Sequence, residues 1–156
     1  MRRQQSGVML LEALIAILIF SIGILGIVGM QASTIKASRD AKFRADAGLL
    51  ANELIGQMWV GNRDGATLQG NFQTGGAVYA PWATRVAATL PGAGATIYPP
   101  LVTVTPGVVG PPQTSSTVTV TVRWLAPNEI PPPPAPQPPS PGSPPPHAYS
   151  VVVQII

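Results

Sequence analysis

Residues 5–30, QSGVMLLEALIAILIFSIGILGIVGM, form a long apolar stretch that carries a single charge. Every residue from Val8 to Met30 is apolar or small except Glu12. At about 1.5 Å per helical residue, this length is enough to cross a hydrocarbon core of about 30 Å. The stretch is longer than the apolar region of a secretory signal peptide, and no A-x-A cleavage site directly follows it. It therefore predicts a membrane-inserted helix, for which a plain signal-anchor helix is the alternative interpretation.

The composition of the 156-residue chain excludes several kinds of chemistry. Only 10% of the residues are charged, the net charge is +3, and there is no cysteine and one histidine, His147. Disulfides, thiol catalysis, Cys-based metal sites and His clusters within one chain are thereby excluded. The six acidic residues show no paired-carboxylate spacing, so we expect no enzymatic activity, no metal and no cofactor. The basic residues form no run interleaved with aromatic residues, and we expect no nucleic-acid partner.

The helix is predicted to continue beyond the apolar stretch. There is no proline from Gln31 to Trp59, and GNRDG at Gly61–Gly65 is a strong stop signal. We therefore predict one helix over 8–60, with 8–30 as its membrane-type half. Its second half is amphipathic and has to pack on the rest of the chain. The predicted apolar stripe comprises Phe43, Ala47, Leu50, Leu54 and Met58.

Residues 61–156 are predicted to fold as a separate head. The stretch APWATRVAATLPG, residues 80–92, predicts a short helix with Pro81 in its first turn and Pro91-Gly92 at its end. Alternating apolar and polar residues then predict three strands that face a core on one side and water on the other. The predicted fold class is therefore α+β. The predicted strands are Leu101–Thr105, Thr117–Leu125 and Ala148–Ile156.

A proline-rich loop is predicted over residues 127–147, between the last two strands. Eleven of the nineteen prolines of the chain lie within 131–146. Proline cannot donate to a sheet ladder, so this segment is expected to be extended and polyproline-like. It has two interpretations: a PxxP ligand for an aromatic-lined groove, or a low-complexity linker between two strands. The linker interpretation is favoured.

The carboxylate of Glu12 needs an explanation because a charge in a membrane span is unfavourable, by about 2.5–3.5 kcal/mol at the centre on insertion scales. It could reach the headgroups or be neutral. Alternatively, a cation of another molecule pairs with it, since Lys36 is the next basic residue along the chain. If the chain were cut between Gly7 and Val8, the new α-amino group of a neighbouring copy would be a suitable cation. A misplaced subunit would then bury an unpaired charge, so the pair would select the axial register.

SGVMLLEALIAILIFSIGILGIVGMQAS, residues 6–33, resembles the N-terminus of type IV prepilins. Those begin with a short basic leader that ends in glycine and continue with an apolar run that has glutamate at its fifth position. The continuation over residues 24–58 is similar to the PilV family of minor pilins, the type IV pilus modification proteins. PWATRVAATLPG at 81–92 and VTVTVRW at 118–124 also resemble the second helix and penultimate strand of that family.

The resemblance implies a maturation pathway, a location and partners. A prepilin peptidase would remove the leader, residues 1–7, by cutting after Gly7, and would N-methylate Val8. Glu12 would guide docking into the growing filament. The protein would lie in the inner membrane with a periplasmic head and then enter the pilus, near its tip. Its other partners would be the major pilin and other minor pilins.

Two positions depart from the pilin pattern. Val8 stands where the first mature residue is usually Phe, and Gly29 stands where many pilins have a helix-bending proline. Gly23, Gly26 and Gly29 are expected either to permit local unwinding or to allow close helix packing. The usual pilin disulfide cannot form in this chain. Two alternatives to a pilus-assembly role are a minor pseudopilin of type II secretion and an adhesive tip pilin that uses Trp82, Trp124 and the proline-rich loop.

Overall fold

The computed structural model describes residues 6–94, 98–107, 115–127, 129 and 147–156. It divides into two units, one ending at Ala41 and the other comprising Lys42–Ile156, and the first helix continues across this boundary. The described helices are α1 (Ser6–Val60), α2 (Gly65–Phe72) and α3 (Tyr79–Thr89). The described strands are β1 (Leu101–Thr105), β2 (Ser116–Trp124) and β3 (His147–Ile155). The architecture is α+β, as predicted.

The three strands form one antiparallel sheet in the order β1-β2-β3. Val120 lies at its centre, with Val102 of β1 on one side and Val151 of β3 on the other. The alternation predicted for β2 is confirmed, since its valines and Trp124 are buried while its threonines are partly exposed. One face of the sheet therefore belongs to the core and the other faces solvent.

The core of the second unit lies between this buried sheet face and the helices. Four residues of the predicted apolar stripe of α1 are buried, and Phe43 is half-buried against them. On α3, Trp82 and Val86 are fully buried, and Leu90 follows them on the same face. The buried members of the stripe are Ala47, Leu50, Leu54 and Met58.

Helix α2 differs from the prediction, in which GNRDG at Gly61–Gly65 is a stop signal and no helix follows it directly. The side chain of Asp64 caps this helix by accepting a 3.2 Å hydrogen bond from the backbone N–H of Thr67. Leu68 and Phe72, four residues apart, are its buried apolar pair. An Asp N-cap followed by this pair is the signal that could have revealed the helix.

Several segment boundaries differ from the predictions: β2 and β3 each begin and end one residue earlier, and α1 begins before Val8. His147 was assigned to the proline-rich loop but is the first residue of β3, where it pairs with Trp124 of β2. Of that loop, only Pro127, Glu129 and His147 are among the described residues. Helix α1 already includes Ser6 and Gly7, whereas the rest of the predicted leader lies outside the described residues.

Candidate functional site

The N-terminal part of α1 presents an apolar surface on all sides. Every side chain from Gly7 to Arg39 is exposed, and the most apolar window of the helix has no buried residue. A helix that is apolar all round is stable when lipid or other helices cover it. By length and composition, α1 is the one helix among the described residues that could cross a membrane.

Glu12 is the one acidic residue in this apolar part of α1. Its side chain is exposed, and no described residue forms a hydrogen bond or an ion pair with it. Lys36, the next basic residue of the helix, lies about 36 Å further along the axis at about 1.5 Å per residue. The carboxylate therefore has no counter-charge within the described part of its own helix.

The other predicted site residues also lie on this helix. Gly7 and Val8 form part of its first turns, and α1 is continuous through Gly23, Gly26 and Gly29. A Cβ atom added at any of the four glycines would contact nothing within 4 Å in the described chain. No described residue therefore requires glycine at these four positions for steric reasons. Gly23, Gly26 and Gly29 follow at steps of three and are neighbours on the helix surface, where a second helix can approach closely.

The C-terminal part of α1 is held on α3 by polar as well as apolar contacts. The indole Nε1 of Trp82 donates a 2.8 Å hydrogen bond to the carbonyl oxygen of Leu50. One turn away, Arg85 Nη2 lies 2.6 Å from Glu53 Oε1 at the surface. Neither contact was predicted, because each joins residues that are distant in the sequence.

Both tryptophans that were considered for ligand binding belong to the core. Trp82 is fully buried and Trp124 is nearly so. The imidazole of His147 stacks on Trp124 at a centroid distance of 5.8 Å, and His147 Nε2 lies 3.2 Å from Glu129 Oε1. Glu129 Oε2 accepts a 2.8 Å hydrogen bond from the backbone N–H of Ala126. Glu129 and His147, which lie on either side of the proline-dense residues 131–146, are therefore in direct contact.

A cleft of about 330 Å³ lies between α3 and Pro99-Pro100. The hydroxyl of Tyr79 donates a 2.7 Å hydrogen bond to the carbonyl of Pro100, and Arg123 Nη2 donates a 3.1 Å bond to that of Pro99. Burial raises the pKa of Tyr79 above its usual value of 10.0, and the positive charge of Arg123 partly opposes this. The remaining lining is formed by alanines and one threonine, so the cleft offers no acid–base pair for catalysis.

The described residues contain no group of three or more His, Cys, Asp or Glu side chains that could hold a metal ion. The residues with the most specific chemical character are therefore those of the apolar helix, above all Glu12. No protein-family model, curated protein or solved structure matches the chain. The function has to be inferred from the residues and their environments.

Proposed function

We propose that this protein is a minor pilin, a subunit that helps to initiate or modify a type IV pilus. One observation carries the proposal: an apolar helix exposed on all sides contains a single carboxylate, Glu12, that has no partner among the described residues. A membrane anchor needs the apolar surface but does not need the acid. A helix that moves from the membrane into a bundle of similar helices has a use for both.

The proposed role of Glu12 depends on cleavage by a prepilin peptidase between Gly7 and Val8. Cleavage creates an α-amino group on Val8 and makes Glu12 the fifth residue of the mature chain. In a bundle of staggered helices, the ammonium group of one subunit can then lie against the carboxylate of another. The pair is desolvated there, so a subunit at the wrong height leaves an unpaired charge, and this is strongly unfavourable.

The second unit is held together by its apolar core, because the chain has no cysteine for a disulfide. A self-supporting domain of this kind suits a structural role. Its core contains three β2 valines and both Trp82 and Trp124, and the sheet and helices pack around them. Trp82 and Trp124 are buried, which leaves the proline-rich loop as the remaining basis for the adhesive alternative. We propose that the unit is a periplasmic head, with the major pilin and other minor pilins as the partners of the helix.

The intact mass of the protein purified from membranes tests the processing step. We expect a species that lacks Met1–Gly7 and carries one additional methyl group on Val8. Cells without the peptidase should yield the full-length chain and serve as the control. A full-length chain in cells with an active peptidase would contradict the proposal.

Glu12→Gln tests the assembly step, because it keeps the side-chain size and removes the charge. We expect this variant to be processed and membrane-inserted but to lose co-purification with other minor pilins. Glu53→Gln is the matched control on the same helix and should assemble normally. Equal assembly of the two variants would count against the role of Glu12, and co-purification with secretion components alone would favour the pseudopilin alternative.

A further inference from the structure

The two outer edges of the sheet differ in their hydrogen bonding. At the β1 edge, Thr74 from the loop after α2 acts as a short substitute for a fourth strand. Its backbone N–H donates a 3.1 Å bond to the carbonyl of Val102, and its Oγ1 accepts a 2.9 Å bond from the N–H of Val102. The backbone N–H and C=O groups of Val102, which face away from β2, are therefore both hydrogen-bonded at this edge.

The β3 edge is open within the described residues. Strand β3 pairs with β2 on one side. On its other side, no described residue forms a hydrogen bond with its backbone N–H or C=O groups. Proteins normally protect an edge strand with charged residues, prolines, bulges or short length. Strand β3 has nine residues in unbroken register with β2 and contains no Asp, Glu, Lys, Arg or Pro. It therefore carries none of these protective features.

The side chains of β3 also indicate a sheet that lacks a neighbour. Tyr149, Val151 and Val153 face the core but are only half-buried, whereas Val118 and Val120 on the central strand are completely buried. On the opposite face, Val152 is 62% exposed. An added strand would cover the half-buried residues from the side and would satisfy the free backbone groups.

We propose that β3 pairs with β3 of a second copy of this chain. The two strands run antiparallel around a two-fold axis at Val151, the middle of β3, and join two three-stranded sheets into one. In this register His147 faces the partner's Ile155, and Ser150 faces the partner's Val152. The contact is isologous and closes at two copies.

The charge pattern of β3 is the argument for a second copy as the occupant. Self-pairing places no like charges opposite each other, because the strand has no acid or strong base and its histidine faces an isoleucine. The proline-rich part of the same chain is unsuitable, since proline has no N–H to donate to a ladder. A strand of a different protein is the competing occupant, and it predicts no dimer of this chain alone.

A charge-swap series on the full chain in detergent micelles tests the proposal. The variant Ser150→Lys with Val152→Lys places lysines opposite lysines in the paired strands, whereas Ser150→Glu with Val152→Lys places glutamates opposite lysines. Both positions are exposed, so both variants should retain the fold, as checked by circular dichroism. Sedimentation should give dimers for the wild type and the Glu/Lys variant. Dimerisation of the Lys/Lys variant should be about tenfold weaker.

Disulfide trapping separates this contact from dimerisation through α1. The chain has no cysteine, so Ser150→Cys and Val152→Cys proteins can be mixed without background reactions. We expect the mixed disulfide to form faster than either self-disulfide, because these two positions face each other. A monomeric wild type, a dimer that is insensitive to the Lys/Lys pair, or no preference for the mixed disulfide would each overturn the proposal.

Discussion

The buried indole of Trp82 on α3 donates its N–H to the backbone carbonyl of Leu50 on α1, at 2.8 Å. That carbonyl also accepts the N–H of Leu54 within the helix, so it serves two donors. A buried tryptophan N–H usually has an acceptor, and here the helix carbonyl provides one without losing its own helical bond. This contact therefore specifies where α3 lies on α1, which apolar packing alone would not do.

Replacing Trp82 with Phe should lower the free energy of unfolding of the second unit by about 1–3 kcal/mol. The change removes the hydrogen bond to Leu50 and leaves a cavity in the core. Chemical unfolding followed by circular dichroism measures the effect. Trp59→Phe is the control, because Trp59 is 42% exposed, and it should change stability by less than about 0.5 kcal/mol. Equal effects of the two changes would contradict the assigned role of Trp82.

Replacing Gly92 with Ala should destabilise the head by about 1–3 kcal/mol. Gly92 has a φ of 71°, and an added Cβ would lie 3.0 Å from a side-chain carbon of Leu125. The same turn accepts the N–H of Leu125 at the carbonyl of Pro91. Gly94→Ala is the matched control, since its Cβ would contact nothing within 4 Å in the described chain. A thermal melt that ranks Gly94→Ala as the more harmful change would disprove this account.

The stability of the head should decrease as the pH rises above about 10. Burial raises the pKa of Tyr79, so the unfolded chain loses this proton at a lower pH than the folded chain does. Above the ordinary value of 10.0, the folded state binds more protons, and a further increase in pH favours unfolding. Below that value both states keep the proton, so Tyr79 adds no pH dependence there.

Tyr79→Phe should make this alkaline decrease shallower, and it should also lower stability at neutral pH through loss of the bond to Pro100. Urea unfolding between pH 8 and about 11 measures both effects. Tyr149→Phe controls for the loss of a tyrosine as such. If Tyr149→Phe flattens the curve as much as Tyr79→Phe does, burial of Tyr79 is not the cause.

The ion pair between Glu53 and Arg85 should contribute little despite its 2.6 Å distance. The two side chains are 42% and 48% exposed, so water screens their attraction. A double-mutant cycle with Glu53→Gln and Arg85→Gln should give a coupling of about 0.2–1 kcal/mol, decreasing with added salt. A coupling above about 2 kcal/mol that is independent of salt would contradict the prediction that water screens this ion pair.

Much of the secondary structure follows from local patterns. The uninterrupted apolar run and the absence of proline predict α1, and strict alternation predicts β1 and β2 to within a residue. Helix α2 was missed because its eight residues contain one short apolar pair, and because GNRDG was read only as a stop signal. For the candidate site, the sequence already revealed the unusual position of Glu12. Its exposure and the absence of a partner among the described residues required the structure.

The covalent chain alone establishes where the apolar surface is, which face of each strand is buried and that its residues supply no thiol chemistry. These properties depend on the order of neighbouring residues, so the spacing of apolar and polar residues along the chain predicts them. Folding is needed to bring Trp82 to Leu50, Arg85 to Glu53 and Thr74 to Val102, because these pairs are far apart in sequence. The same long-range packing places Thr74 on one sheet edge and no described residue on the other, because backbone hydrogen bonds depend on which groups are close in space.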